Sequence, residues 1–470
     1  MNRKNLDFFE AIAPGRDTWK KKYSYYWKDV ENLCSFLIPE NATVLEIGCG
    51  TGDLLAHIKA GKKVGIDYSA NMIGIAKSKY PDLDFMVMEA ENITLNEKFD
   101  YLILSNLIGY LEDIQKVFTE LNKVCHPHSK VIVTYYNFLW QPVFNVAVLL
   151  NLRMKQPQQN WLSQQDIKNL LYLAGFDAFK EGERLLLPIN IPLVSKVSNK
   201  YLAKLPLLKK LCVTNYVIAK PFQSEDDYRN KYSVSVIIPA RNESGNIGNA
   251  ILRTPRIGRH TELIFIEGNS KDDTWQKIKD MQEKYKSRYD IKIAHQDGKG
   301  KGDAVRKGFD MATGNILMIL DADLTVPPED LPKFYDAIAS GKGEFINGSR
   351  LVYNMDENAM QFLNLLGNKF FSMMFSWLLD QRFKDTLCGT KVIFKSDYEQ
   401  LKRGRKFFGD FDPFGDYDLI FGASKLNLKI IEIPIRYKER TYGTTNISRF
   451  RHGLLLLRMC IFAARKIKFV

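Results

Sequence analysis

Two carboxylates stand two residues apart directly after an apolar run: Asp321 and Asp323 follow Ile316–Leu320. If this run is a buried strand, both side chains lie at its carboxyl end, where ligands of parallel α/β sheets bind. Two carboxylates in a turn can hold one divalent ion that prefers oxygen ligands, and such an ion can neutralise a diphosphate leaving group. Acid-x-acid strings are also common in solvated loops, so the metal site depends on what the neighbouring loops contain.

The neighbouring loops of the same half also carry polar residues at the ends of apolar runs. Pro239 and Glu243 follow the run Val234–Ile238, and Glu267 ends the run Leu263–Ile266. Asp303 lies in a later loop that is rich in glycine and lysine. These loops are expected to meet at one edge of a sheet and to form a single site with Asp321 and Asp323.

A glycine-rich loop follows the run Thr43–Ile47 in the first half of the chain. Glycines at alternate positions let the backbone approach a ligand closely; they are Gly48, Gly50 and Gly52, with Glu46 just before them. Asp67 ends the next apolar run, where a carboxylate can accept hydrogen bonds from two ribose hydroxyls. The spacing is GxGxG, which differs from the GxGxxG of dinucleotide-binding loops.

The elements that position these residues are predicted to be strands of two parallel α/β sheets. The remaining runs are Lys63–Ile66, Phe85–Val87, Tyr101–Leu104 and Val131–Tyr135 in the first half, and Ile291–Ala294 in the second. A polar, charged stretch, QSEDDYRNKYS, separates the halves. We therefore predict a domain over residues 1–222, a linker over 223–233 and a second domain over 234–470.

The first half resembles the class I S-adenosylmethionine-dependent methyltransferases, through VLEIGCGTGDL, GIDYS, FMVMEAENI and FDYLILSNLIGYLED in that order. The resemblance implies a Rossmann-like sheet that binds S-adenosylmethionine. Gly48, Gly50 and Gly52 would face the methionine and ribose, Asp67 would hold the ribose with Glu46 as a supporting acid, and Glu89 would contact the adenine amine. The sequence does not identify the methyl acceptor. Asn106, Tyr110, Tyr135 and Tyr136 lie where a substrate could approach, and they could equally be core or rim residues. A non-catalytic module that only binds the cofactor is the alternative.

The second half resembles the family 2 glycosyltransferases of the GT-A fold, nearest to those that make dolichyl- or polyprenyl-phosphate hexoses. The matching text includes PARNESGNI, KGDAVRKGF, DADLTVPPEDL, NGSR and EIPIRYKERTYGTTNISR. The resemblance implies a nucleotide-sugar donor near Pro239, Glu243, Glu267 and Asp303. It also implies Mg²⁺ or Mn²⁺ on Asp321 and the catalytic Asp323, and phosphates near Arg350, Lys391 and Arg440.

The acceptor decides whether this half needs a catalytic base. Inverting transfer to a sugar hydroxyl needs a group that takes the hydroxyl proton, whereas a lipid phosphate is already anionic. Asp416, in FGDFDPFGDYDL, is the candidate base for a hydroxyl acceptor, and it could equally orient substrate or cap a helix. Glucose or mannose transfer to polyprenyl phosphate is the main prediction, and transfer to a sugar hydroxyl in polysaccharide or cell-envelope glycan assembly is the alternative.

The formal net charge of +13 indicates an anionic partner. Two apolar segments rich in basic residues, at 185–211 and 449–468, and a strongly apolar segment at 362–379 with Asn364, Asn368 and Lys369 on one side favour a membrane surface as that partner. No nucleic-acid-binding motif accompanies the charge, so nucleic acid is not expected. With no apolar leader at the start and no CxxC pair among six cysteines, we predict reduced thiols and a cytoplasmic protein held peripherally at the inner face of the membrane.

Overall fold

The computed structural model describes residues 3–222, 228–350, 362–386, 388–405, 417–435, 442 and 449–469. The chain divides into two compact units, Met1–Phe222 and Gln223–Val470, and each contains one seven-stranded sheet. Each unit is large enough to enclose its own core, and the two are described separately.

The first unit is built on a sheet with the strand order β3-β2-β1-β4-β5-β7-β6. Its strands are β1 (Thr43–Ile47), β2 (Lys62–Asp67), β3 (Asp84–Val87), β4 (Phe99–Ser105), β5 (Cys125–Tyr136), β6 (Phe176–Arg184) and β7 (Thr214–Pro221). Strands β1 to β5 are mutually parallel, as the sequence predicts. Strand β7, which is not among the predicted runs, runs antiparallel to both β5 and β6.

The helices of the first unit are α1 (Arg3–Ile12), α2 (Arg16–Lys22), α3 (Ser24–Leu37), α4 (Asp53–His57), α5 (Ala70–Lys79), α6 (Ile114–Leu121), α7 (Gln141–Leu149), α8 (Gln164–Leu173) and α9 (Val194–Lys200). Side-chain hydrogen bonds cap the first turns of two of these helices. The Ser69 hydroxyl accepts from the Met72 N–H at the start of α5, and Ser163 and Asp166 form a reciprocal capping box at the start of α8. Apolar helix faces cover both sides of the sheet and form two clusters.

The second unit has the strand order β10-β9-β8-β11-β13-β12-β14. Its strands are β8 (Ser233–Ala240), β9 (His260–Glu267), β10 (Asp290–His295), β11 (Ile316–Ile319), β12 (Phe345–Ser349), β13 (Lys391–Phe394) and β14 (Ile430–Pro434). Strands β8 to β11 are parallel as predicted, whereas β13 runs antiparallel to β11 and β12. Both sheets are therefore mixed, and both put the predicted site loops at the carboxyl ends of their parallel strands.

The described helices of the second unit cover both faces of its sheet. They are α10 (Ile247–Arg253), α11 (Thr274–Tyr285), α12 (Lys301–Met311), α13 (Leu331–Ala339), α14 (Phe362–Leu379), α15 (Lys395–Gly404), α16 (Tyr417–Lys425) and α17 (Arg449–Ala463), which continues into a π-helical turn at Ala464–Lys468. Across the described part of the chain, every helix is too short or too polar to span a bilayer.

Candidate functional sites

The glycine loop of the first unit needs glycine for conformation and for space. Gly48, Gly50 and Gly52 have φ angles of 74°, 53° and 79°, in the left-handed region that side chains disfavour. A Cβ atom on Gly48 would lie 2.7 Å from Leu107 Cδ1, and one on Gly52 would lie 2.6 Å from Phe85 Cζ. The loop therefore folds tightly over the ends of β1 and β2.

Asp67 is tied to this loop by its own side chain. Its Oδ2 accepts from the Gly50 N–H at 2.9 Å, and its Oδ1 accepts from the Ser69 N–H at 3.0 Å. Each carboxylate oxygen has capacity for a further hydrogen bond. Burial raises the pKa of Asp67, opposed by these two backbone donors. The group is thus fixed in place and still able to accept from a ligand hydroxyl.

A cavity of about 760 Å³ adjoins the loop. Its lining brings together four of the predicted cofactor-binding residues: Gly48, Gly50, Asp67 and Glu89. Glu46 and Gly52 are not among the lining residues. Glu46 is buried, and burial raises its pKa to about 8. Its Oε2 has no hydrogen-bond partner among the described residues.

Helices α2 and α3 supply cavity residues that sequence reasoning missed. Arg16 lines the cavity beside Gly50, and its buried Nε has no hydrogen-bond partner in the described part of the chain. Burial and the nearby Arg16 lower the pKa of Lys20, whose Nζ contacts Asp53 Oδ2 at 2.7 Å. The signal available in the sequence was the dense basic and aromatic stretch at 16–27, which no motif separates from an ordinary helix.

The far part of the cavity is aromatic. Tyr110 and Tyr136 line it as the sequence suggested, and Asn106 Oδ1 accepts from the Tyr26 hydroxyl at 3.0 Å. Asn106 has a φ of 52°, a strained value that occurs at functional strand ends. Tyr135 instead points into the core on the opposite face of β5, because successive side chains of a strand alternate.

In the second unit, the loops after three strands each contain a residue other than glycine in the left-handed backbone conformation. Asn242 follows β8 with a φ of 56°, Asn269 follows β9 with 56°, and Leu324 lies beyond β11 with 55°. The first two loops interlock, since the Lys271 N–H donates to Asn242 Oδ1 at 2.7 Å. Backbone strain of this kind persists where the surrounding structure overdetermines it and clusters at ligand sites.

The acids predicted to hold the nucleotide are locked by neighbours at this edge. Glu243 accepts from Asn246 Nδ2 at 2.8 Å, and Glu267 accepts from the Ser270 N–H at 2.5 Å and contacts His295 Nδ1 at 2.8 Å. Burial opposes ionisation of Glu267, but its hydrogen bonds from Ser270 and His295 outweigh burial and lower its pKa. Pro239 is half-buried in β8.

Asp303 organises the glycine- and lysine-rich loop. It lies in the first turn of α12, and its Oδ2 accepts from the Gly298 N–H at 2.7 Å. Gly300 precedes this helix with a φ of 86°, which the loop requires. The loop therefore presents the amino end of α12 at the same edge as the acids after β11.

Asp321 and Asp323 leave β11 together. Asp321 Oδ1 lies 2.6 Å from Lys301 Nζ, and Asp323 Oδ1 accepts from the Thr325 N–H at 3.1 Å and its hydroxyl at 2.9 Å. Among described residues, no three or more His, Cys, Asp or Glu side chains cluster as metal ligands. Two carboxylates still fit Mg²⁺ or Mn²⁺, because Mg²⁺ in particular commonly takes one or two carboxylates and completes its shell with water and substrate phosphates.

Two residues that are predicted to bind phosphates, Arg350 and Lys391, form hydrogen bonds with other residues of the protein. Arg350 forms a bidentate pair with the buried Asp385, with Nε–Oδ2 at 2.7 Å and Nη2–Oδ1 at 2.8 Å. Lys391 is buried in β13 and donates to the Cys388 carbonyl. Phosphate binding by this pair remains a prediction. Arg440 and Asp416 lie outside the described residues.

The comparisons with known proteins agree with the family resemblance predicted for each half of the chain. A family model described as a methyltransferase domain matches residues 44–128, and one described as glycosyl transferase family 2 matches residues 235–401. A dolichol-phosphate mannosyltransferase of Pyrococcus furiosus is 37% identical over 25% of this chain and 33% of its own length. A ubiquinone/menaquinone biosynthesis C-methyltransferase of Campylobacter jejuni is 27% identical over 28% of this chain and 62% of its own length.

Among solved structures, a SAM-dependent methyltransferase from Thermotoga maritima, titled a possible histamine N-methyltransferase, covers 46% of this chain and 98% of its own. Its sequence identity is 18% and its TM-score 0.37. The chain spans only about a third of the length of the mannosyltransferase and under two thirds of the C-methyltransferase. Along the chain, a segment similar to methyltransferase domains is therefore followed by a segment similar to family 2 glycosyltransferases.

Proposed function

We propose that the second unit transfers a hexose, with inversion, from a nucleotide sugar to a polyprenyl or dolichyl phosphate. The observation that carries this proposal is the convergence of Asp321, Asp323 and the α12 loop at one sheet edge. The similarity to a protein named dolichol-phosphate mannosyltransferase supports the choice of acceptor.

In this proposal Asp321 and Asp323 hold Mg²⁺ or Mn²⁺, which when bound neutralises charge that develops on the departing diphosphate. Lys301 lies 2.6 Å from Asp321 and adds a positive charge on the diphosphate side. Glu243, Glu267 and Asp303 shape the loops that take the base and ribose.

The acceptor phosphate attacks the sugar without a protein base, because it is already ionised near neutral pH. We place the acceptor phosphate near Arg350, which Asp385 holds directly after β12. Asp416 has a catalytic role only if the acceptor is a sugar hydroxyl.

The test supplies radiolabelled nucleotide sugars with polyprenyl phosphate and follows label into the organic phase. Label in the lipid is expected with a UDP- or GDP-hexose, and it should disappear with a chelator or in Asp323→Ala. A product confined to the aqueous phase, with a glycan acceptor present, would replace this proposal with transfer to a sugar hydroxyl.

We also propose that the first unit binds S-adenosylmethionine and transfers its methyl group. The cavity beside Gly48, Gly50 and Asp67 supports donor binding, with Glu89 at the adenine end. Arg16 faces Gly50 with an unpartnered Nε, so it is suited to the donor carboxylate. The bound donor supplies an electrophilic methyl group, and the protein's contribution is to orient it and exclude water.

Calorimetry with S-adenosylhomocysteine tests donor binding directly. Asp67→Ala should weaken the affinity by roughly 10- to 100-fold, because a hydrogen bond to a charged group contributes about 1.5–3 kcal/mol. Sugar transfer by the same variant should be unchanged. Donor binding without methyl transfer to any acceptor would favour the non-catalytic module.

A further inference from the structure

The first unit exposes an apolar surface that its own core does not cover. Helix α7 has the sequence QPVFNVAVL and no buried residue. Leu149 and Leu207 are 83% and 82% exposed. Other exposed residues of the same two segments, 138–152 and 187–211, include Val143, Val146, Leu150, Leu193 and Tyr201. Soluble monomers rarely expose so much contiguous apolar surface without a partner.

The two segments form one surface, here called the acceptor face. The Trp140 indole N–H donates to the Leu211 carbonyl at 2.9 Å, and Asn137 Nδ2 donates to the Lys210 carbonyl at 2.9 Å. Both segments also line the donor cavity, through Val143 of α7 and Leu187 of the second segment. The acceptor face therefore adjoins the donor cavity.

The charges on this face have one sign. No Asp or Glu occurs at 138–165 or at 185–222, while the second stretch carries several lysines. Lys196, Lys200 and Lys210 are exposed. Exposed lysines beside leucines are suited to an anionic bilayer surface, with the leucines at the acyl boundary and the ammonium groups among the head groups.

A further cation, Arg153, lines the donor cavity. The Arg153 guanidinium lies 3.8 Å from the ring centroid of Phe144 and 5.0 Å from that of Tyr136. Arg153 lines the cavity and pairs with no carboxylate among the residues that the structure describes. A guanidinium held by aromatic rings can bind an anionic head group and still leave an apolar chain outside.

We infer that the methyl acceptor of the first unit is an anionic lipid, or a lipid-linked head group, that reaches the cavity while the acceptor face lies on an anionic membrane. This inference rests on the proposed methyl transfer. The acceptor's nucleophilic atom bonds to the donor methyl carbon as the carbon–sulfur bond breaks. The sulfonium becomes a neutral thioether, and the acceptor's proton leaves to water.

Site-specific labelling tests the docking. All six native cysteines are buried, so one introduced by Leu207→Cys can be labelled selectively with an environment-sensitive dye. Leu173→Cys is the matched control, because Leu173 is exposed on α8 and does not line the cavity. Vesicles that contain phosphatidylglycerol should shift the emission of the 207 dye to the blue and leave the 173 dye unchanged.

Pure phosphatidylcholine vesicles should bind roughly tenfold more weakly or worse, because the lysine contribution is lost. The docking inference is overturned if the 207 dye does not respond while the full chain still sediments with anionic vesicles. It is also overturned if the dye responds without vesicles in a concentration-dependent manner, which would assign the face to a second copy of the chain.

Methyl transfer is followed with tritiated donor and vesicles of a polar-lipid extract from cells that make the protein. Tritium should enter the organic phase, and Arg153→Gln should reduce the rate while S-adenosylhomocysteine affinity stays constant. If the unaltered chain does not bind S-adenosylhomocysteine at all, the proposed methyl transfer itself is refuted. Donor binding with tritium only in water-soluble products would refute the lipid acceptor alone.

Discussion

The buried side chain of Glu46 makes the free energy of unfolding depend on pH. The pKa of Glu46 is raised to about 8, chiefly by burial; Lys20 lowers it, and the charges of Asp67 and Asp53 act in the same direction as burial. The unfolded chain releases this proton near the ordinary glutamate value, so the native state holds more protons between that value and about pH 8. The free energy of unfolding must therefore fall as pH rises through this window.

Glu46→Gln should remove this fall. The variant should gain stability relative to the unaltered chain between about pH 5 and about pH 8, by a few kcal/mol at most, since one pKa unit is worth about 1.4 kcal/mol. Urea unfolding at both pH values measures the difference. Glu40→Gln, at an exposed carboxylate, should show no such pH-dependent gain. A constant difference for Glu46→Gln would mean that Glu46 is ionised throughout.

Gly389 is a second residue whose substitution reports on the site. Its hypothetical Cβ would lie 2.0 Å from Asp321 Oδ2 and 2.5 Å from Lys301 Nζ. Gly389→Ala should displace the Asp321 carboxylate and reduce sugar transfer roughly a hundredfold, as small misplacements in active sites do. Initial rates with saturating donor measure this loss. Gly404→Ala, which meets no atom within 4 Å, should retain full activity; equal losses in both variants would indicate a general folding defect.

At the scale of elements, α14 combines a core face with an exposed face. Phe375 stacks on Phe421, with 5.3 Å between the ring centroids, and is buried with Leu378 in the hydrophobic core of the second unit. Phe370 and Met373 are exposed on the same helix. Helix α14 thus has one side in the core and one side exposed, and its predicted contact with a membrane remains a prediction.

Met373→Asp should weaken co-sedimentation with anionic vesicles and change the free energy of unfolding by less than about 0.5 kcal/mol, as exposed substitutions do. Phe375→Ala is the contrasting variant. It should cost about 3–5 kcal/mol of stability through the cavity that it leaves. If Met373→Asp binds vesicles as well as the unaltered chain, α14 does not contact the membrane.

At the scale of the whole molecule, two compact units carry two separate sites. A ligand stabilises the unit to which it binds by about 2.7 kcal/mol at 100 times its Kd. For units of this size the corresponding shift in Tm is roughly 5–10 °C. S-adenosylhomocysteine should therefore raise only the transition of the first unit in scanning calorimetry.

Asp67→Ala provides the control for that measurement, since it should abolish the shift and leave the other transition in place. Conversely, Asp323→Ala should abolish sugar transfer and leave the S-adenosylhomocysteine shift intact. A single transition that S-adenosylhomocysteine moves as a whole would show instead that the two units unfold together.

The sequence by itself determined the local features: the parallel strand cores, the glycine loop and the acids at strand ends. Runs rich in β-branched residues, such as Thr43–Ile47, become buried strands because their backbone pairs on both sides and their apolar side chains pack against both faces. Asp67 and Asp321 were identifiable because an acid at the carboxyl end of a parallel strand meets ligands by topology alone.

Only the tertiary structure decided which distant groups meet. The antiparallel placement of β7 depends on pairing across the chain, and no local pattern encodes strand direction. Arg16 reaches Gly50, and Arg350 pairs with Asp385, through long-range packing rather than spacing. The acceptor face likewise depends on folding, because only Phe144 of α7 packs against a core cluster and no residue of this helix is buried.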